Sequence, residues 1–376
     1  MFEKALNFAK TFNLQYPPII QAPMAGGITT PELVSSVSNF GGLGSFATGY
    51  LNPNQVLKGI TSIQNLSDKP FSVNLFIPPY EINIDREKIK NYQIHLNTYR
   101  KLLGLPEKNP NELPEISKDY LEEVIDIVLS NEIKILSFTF GILSKKHIEK
   151  FKNKNIYLLG TATSVLEAQA LEAAGIDTIV AQGSEAGGHR GSFLNDSMMS
   201  TDQLVETIAR KVDIPIIAAG GIVNASHILA ALQAGASAVQ IGTAFLPLKE
   251  SGASTCYKSA VLEAQAVKNK KQTTLTRAYS GKRVRGLWTD FIRHALPDSE
   301  IPDYPIPHYL TQEIRKEASL QSNKELMSFF CGERICDIDP NHKTVEQFLN
   351  SLTPTISYQS QTDNEHHSLT FVHRHD

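Results

Sequence analysis

Between Pro18 and Leu246 the chain alternates two textures: short apolar or β-branched runs ending in Gly, Ser, Thr or Asn, and longer amphipathic runs after them. The short runs occupy 18–24, 43–49, 71–77, 134–140, 156–162, 178–184, 215–221 and 238–246. Several are apolar throughout their centres, the pattern of strands buried on both faces of a parallel sheet. The longer runs predict helices over 31–40, 52–64, 121–130, 164–175, 201–212 and 225–235. Thr30 before Pro31 has the form of an N-cap followed by proline at the first helical position. Gly175 and Gly235 stand where a helix closes on a left-handed residue.

Eight strands alternating with helices predict an α/β fold, a (β/α)8 TIM barrel. The alternative, an open doubly wound sheet, lacks support, because no strand leads promptly into GxGxxG with an acidic residue about 20 positions later. The barrel domain is expected over 1–246. An inserted segment at 78–119, charged and rich in Asn, is expected to add helices over the barrel mouth. A shorter Gly-rich stretch covers 185–200. Residues 247–356 predict a helical C-terminal cap packed on the barrel, and the polar 357–376 a flexible tail.

Composition narrows the function classes. Of 376 residues, 41% are hydrophobic and 20% charged, which excludes a disordered chain. The 36 basic and 39 acidic side chains leave a net charge of −3, with no global attraction for nucleic acid or anionic lipid. No apolar run approaches the roughly 20 residues of a spanning helix, and the first residues lack an apolar signal core, so the cytoplasm is expected. Cys256, Cys331 and Cys336 make an odd count that implies no disulfide framework. A small-molecule partner and a monomer or weak homo-oligomer are expected.

In such a barrel the chemistry lies at the C-terminal ends of the strands. Those ends carry Ala22-Pro23-Met24, Asn74, Thr161, Thr163, Gln182 with the loop GSEAGGHRG, Gly220-Gly221, and Gln240 to Thr243. They are rich in glycine, amide and hydroxyl and nearly free of carboxylates. That argues against paired-carboxylate glycoside hydrolysis and against a His/Asp/Glu metal cluster. The loops after strands seven and eight have the form of a phosphate cradle, with Thr243 offering a hydroxyl and Asn224 or Ser226 capping the next helix. His189, after two glycines, is either a general base facing the mouth or a packing histidine. Arg190 is either a positive charge near the site or an ordinary solvent-facing arginine, Glu185 either a second acid or base or a solvated loop carboxylate, and His227 falls on a helix.

QAPMAGG (21–27), FGGLGSFATGY (40–50), SVNLF (72–76), AQGSEAGGHRG (181–191), PIIAAGGI (215–222) and AVQIGTAFL (238–246) together resemble the FMN-dependent nitronate monooxygenase family. AYSGKRVRGL (278–287) and YPIPHYLTQEIR (304–315) look like C-terminal motifs of its bacterial class I branch. CGE (331–333) approximates a Trp-Ala-Gly-Gln segment there, with the aromatic replaced or shifted to Phe329 or Phe330. The resemblance implies that Met24, Asn74, Gln182, Gly187, Gly220, Gly221, Gln240, Ile241, Gly242 and Thr243 bind FMN, and that His189 is the catalytic base. It implies oxidation of alkyl nitronates, notably propionate 3-nitronate, by O2 to a carbonyl product and nitrite. Tyr304, His308, Tyr309 and Arg285 are the expected contacts of a substrate carboxylate. Flavin-dependent enoyl-acyl-carrier-protein reductases share several of these motifs, so an NAD(P)H-dependent reductase of such substrates or of quinones is the alternative. A non-redox barrel is a third.

Overall fold

A computed structural model describes residues 2–116, 120–195, 197–267 and 272–353. The expected tail at 357–376 therefore lies outside the described residues. In chain order the strands are β1 (Ile19–Gln21), β2 (Gly44–Ala47), β3 (Phe71–Phe76), β4 (Ile135–Thr139), β5 (Tyr157–Ala162), β6 (Thr178–Gln182), β7 (Gly188–His189), β8 (Ile216–Ala219), β9 (Ala238–Ile241), β10 (Thr273–Thr276) and β11 (Val284–Leu287). Eight of them form one parallel sheet in the order β1-β9-β8-β6-β5-β4-β3-β2. A bridge between Ile20 and Leu43, with Leu43 N donating to Ile19 O and Gln21 N to Leu43 O, joins the two ends of that sheet. The result is the expected (β/α)8 barrel.

Local chemistry explains the helices. Thr30 Oγ1 accepts from Leu33 N at 3.0 Å ahead of Pro31, and Asn52 and Gln55 exchange the two bonds of a capping box. Gly175 and Gly235 take positive φ, 84° and 110°, just past their helices. Two helices were not expected from the sequence. Phe2–Phe12 closes the N-terminal end of the barrel, where Phe8 joins Ile20, Leu43, Ile135, Leu159, Val180 and Ile217 in the interior core. Phe12 stacks edge-on against Tyr157 with ring centroids 4.8 Å apart. Lys145–Asn153 fills the connection between β4 and β5 and buries only His147, Ile148 and Phe151.

The insertion contributes one long helix, Arg86–Leu102, capped by Asp85. It lies against the helix Ile306–Leu320: Arg100 pairs with Glu313 at 2.6 Å, and Gln321 Nε2 donates to Leu103 O. The C-terminal extension is not purely helical, which corrects the expectation for it. Its β10–β11 hairpin extends onto β7 in an antiparallel sheet that sets Val284 opposite His189. No helix among the described residues is long and apolar enough to cross a membrane.

Candidate active site

The C-terminal ends of the barrel strands and the extension enclose a cavity of about 580 Å³. Strand register builds its floor: Asn74 lies beside Ser137, and Gln182, Ala219 and Gln240 form one row across three strands. Met24, Asn74, Gln182, Gly187, His189 and Gln240 line the cavity. So do Gly220, Gly221, Gly242 and Thr243. Ile241 does not. Successive strand residues face opposite ways, so Gln240 looks inward while Ile241, fully buried, joins the core outside the barrel wall. Thr163 is also withdrawn, its amide and hydroxyl both donating to Glu167.

The loop carrying His189 is braced on several sides. Gly188 takes φ 76° and turns the chain into β7. Gln182 Nε2 donates to His189 O at 3.0 Å while Gln182 Oε1 accepts from Gly191 N at 2.8 Å. Arg190 is fully buried and donates to the carbonyls of Gln182, Gly183 and Ser197, so it holds the loop instead of facing solvent or the cavity. The buried Glu167 accepts from Phe193 N and Leu194 N. Glu185 accepts from Thr201 N and Oγ1 at 2.9 and 3.0 Å, the work of a helix-end anchor and not of an acid or base.

Within this frame the His189 ring stands edge-on to Phe140 and Phe330, with centroids 5.9 and 5.6 Å away. Of the two aromatics the sequence offered, Phe330 therefore lines the cavity, whereas Phe329 packs against Tyr257. His189 Nε2 lies 2.7 Å from Ser280 Oγ. Burial, and then the charges of Lys282 and Arg315, push the His189 pKa down to about 3. His308 stacks flat on Tyr50 at 4.2 Å and is also held down to about 3, by burial and then by Arg315 and His189.

The opposite end has different chemistry. Gly220 and Gly221 take φ of 118° and 65°, and a β-carbon on Gly220 would come within 2.9 Å of Ala186 N. Thr243 Oγ1 accepts from Gly332 N at 2.8 Å, which leaves its own proton to donate. Arg334 stands beside this turn, its Nε 3.4 Å from where a Gly221 β-carbon would lie. Asn224, not Ser226, caps the following helix by accepting from His227 N at 3.0 Å, and Ser226 donates to Asn224.

No Asp or Glu lines the cavity among the described residues, while Arg315, Lys316 and Arg334 do. Of the four expected carboxylate contacts, only His308 lines it. Arg285 is buried, donating to Ser184 O and facing Glu333 at 3.5 Å. Sequence reasoning missed Ser280, Arg315 and Arg334 as site residues, although the first two lie inside the C-terminal motifs and Arg334 directly follows CGE.

The sequence model of the nitronate monooxygenase family matches residues 8–355. A probable nitronate monooxygenase of Staphylococcus saprophyticus is 42% identical over 85% of this chain and 89% of its own. One from Staphylococcus aureus is 40% identical over 92% and 97%. Among solved structures, nitroalkane oxidase from Streptomyces ansochromogenes superposes with a TM-score of 0.82 at 32% identity, covering 92% of this chain and 96% of that one. FabK from Thermotoga maritima is more distant, with a TM-score of 0.66 at 25% identity over 92% and 94%.

Proposed function

The chain belongs to the nitronate monooxygenase family, and from that premise we propose that it uses FMN to oxidise alkyl nitronates such as propionate 3-nitronate, with O2, to a carbonyl product and nitrite. The carrying observation is one cavity lined by Arg315, Lys316 and Arg334, with no lining carboxylate among the described residues and an imidazole held neutral.

The residues present fit the cofactor. Gly220 and Gly221 form a cradle that side chains would fill, and Thr243, Gly242 and Arg334 would hold the phosphate there. Asn74 and Gln240 would meet the polar edge of the ring system, since an amide both donates and accepts. Gln182 serves first as the brace of the His189 loop, its amide already engaged at both ends. When bound, the flavin supplies the electron chemistry between nitronate and oxygen.

The chain's own groups orient the substrate. His189, with its pKa near 3, is neutral throughout the physiological range and a feeble base. It suits a nitronate, which arrives ionised, better than a neutral nitroalkane from which a proton must be drawn. Arg315 offers its guanidinium to a substrate carboxylate, with His308 and Tyr50 walling that end. Phe140 and Phe330 exclude water beside the imidazole. The greater distance to FabK supports the nitronate reading over the NAD(P)H reductase.

The testing experiment is aerobic turnover of propionate 3-nitronate by the FMN-loaded enzyme, following oxygen uptake and nitrite, with and without NADH. Equal nitrite release under both conditions is expected; release that requires NADH, or none at all, would refute the reading.

A further inference from the structure

Ser280 belongs to the turn between β10 and β11, far along the chain from the barrel, yet its hydroxyl reaches 2.7 Å from His189 Nε2. Two other groups surround that oxygen: the Lys282 amide nitrogen and the Lys282 carbonyl, each at 3.3 Å. A hydroxyl has one proton to give and two lone pairs to offer. Hydroxyl donors work best over about 2.5–3.0 Å, so the proton goes to Nε2 at 2.7 Å in preference to the Lys282 carbonyl at 3.3 Å. A ring N–H donor works over about 2.7–3.2 Å, so the observed 2.7 Å lies at its short limit but in the middle of the hydroxyl range. The Lys282 N–H makes a long approach to one of the oxygen's lone pairs.

We infer that Ser280 donates its proton to His189 Nε2 and so fixes the imidazole with its own proton on Nδ1, which makes His189 a hydrogen-bond donor toward an anion in the cavity. Ser280 is then a positioning residue that sets the tautomer. Nδ1 makes none of the hydrogen bonds found among the described residues, so its proton remains for the cavity's occupant.

The surroundings hold this neutral form. Lys282 approaches from the same turn as Ser280 and Arg315 from the helix Ile306–Leu320, and both oppose a second proton, while His308 on that helix is itself held neutral. The Phe140 and Phe330 rings flank the imidazole and supply no counter-charge. The inference rests on the proposed function only for the anion's identity, a nitronate oxygen; no proton changes hands in the contact.

The test uses holoenzyme labelled with 15N-histidine, the His189 signals being those lost in His189→Asn. In the wild type, Nδ1 is expected to show a pyrrole-like shift and Nε2 a pyridine-like one, unchanged on acidification to about pH 5. Ser280→Ala is expected to move both signals toward the opposite tautomer and to lower kcat/KM for propionate 3-nitronate about tenfold. Ser280→Thr, which keeps the hydroxyl, is expected to restore both. A pyrrole-like Nε2 in the wild type would overturn the inference even if Ser280→Ala failed to fold. So would a folded Ser280→Ala with unmoved signals. An enzyme that oxidised no nitronate would refute the proposed function alone, since the tautomer is read from the spectrum.

Discussion

Gly187 and Cys331 meet backbone to backbone: a β-carbon on Gly187 would stand 2.4 Å from the carbonyl carbon of Cys331. The contact locks the loop bearing His189 to the segment bearing Phe330 and Arg334. Gly332 N donating to Thr243 and Glu333 N donating to Glu185 O reinforce it. The barrel alone therefore does not complete its own site. Replacing Gly187 by alanine must push the two backbones apart. Gly187→Ala is expected to destabilise the fold by about 1–3 kcal/mol and to weaken flavin retention. Thermal unfolding together with the absorbance of the purified protein reads both; a variant as stable and as yellow as the parent would contradict the contact.

Arg334 carries the positive charge at the glycine cradle. Arg334→Gln is expected to weaken FMN binding by about 10- to 100-fold while changing riboflavin binding far less, because only FMN bears the phosphate. Fluorescence titration of the apoprotein with both flavins measures this. A parallel loss for the two would move the phosphate elsewhere.

Arg315 makes its hydrogen bonds to Thr311 and His308, and its guanidinium lines the cavity without a carboxylate beside it among the described residues. Arg315→Met is expected to raise KM for propionate 3-nitronate by on the order of tenfold or more, and that for an uncharged alkyl nitronate much less. Steady-state kinetics on both substrates decide; equal changes would assign Arg315 to a general electrostatic role.

Acid should destabilise this fold through its two buried imidazoles. His189 and His308 each drop from an ordinary 6.5 to about 3 in the folded chain. Between those values the unfolded chain binds more protons, so stability is complete above about pH 6.5 and falls as pH drops toward about 3. The slope is at most about 1.4 kcal/mol per pH unit for each histidine, and the two are coupled. Urea unfolding at successive pH values is expected to show the decline, and His308→Gln to flatten it. A variant that kept the parent's slope would clear His308 of the effect.

Much of this architecture was legible before any coordinates because its determinants are local. Strands buried on both faces leave unbroken apolar runs, and Thr30-Pro31 and Gly175 announce helix ends by backbone chemistry alone. The glycines and His189 were legible for the same reason: they sit where known strands end. Ile241 falls outside the cavity lining, since a run of motif letters does not say which side of a strand each residue faces. The helix Lys145–Asn153 escaped notice because Lys-rich sequence masks its few apolar contacts. The sheet joining β7 to β11 was invisible, since two residues of Gly-His carry no period. Ser280, Arg315 and Arg334 reach the site only through the folding of the extension over the barrel, which no local pattern records.

Under the proposed function an ionised nitronate, and not a nicotinamide, delivers electrons to this cavity. Anaerobic stopped-flow mixing of the FMN-bound enzyme with propionate 3-nitronate or with NADH tests it most directly. Rapid bleaching of the flavin absorbance by the nitronate and little change with NADH are expected; rapid bleaching by NADH with a flavin inert to nitronate would overturn the nitronate reading.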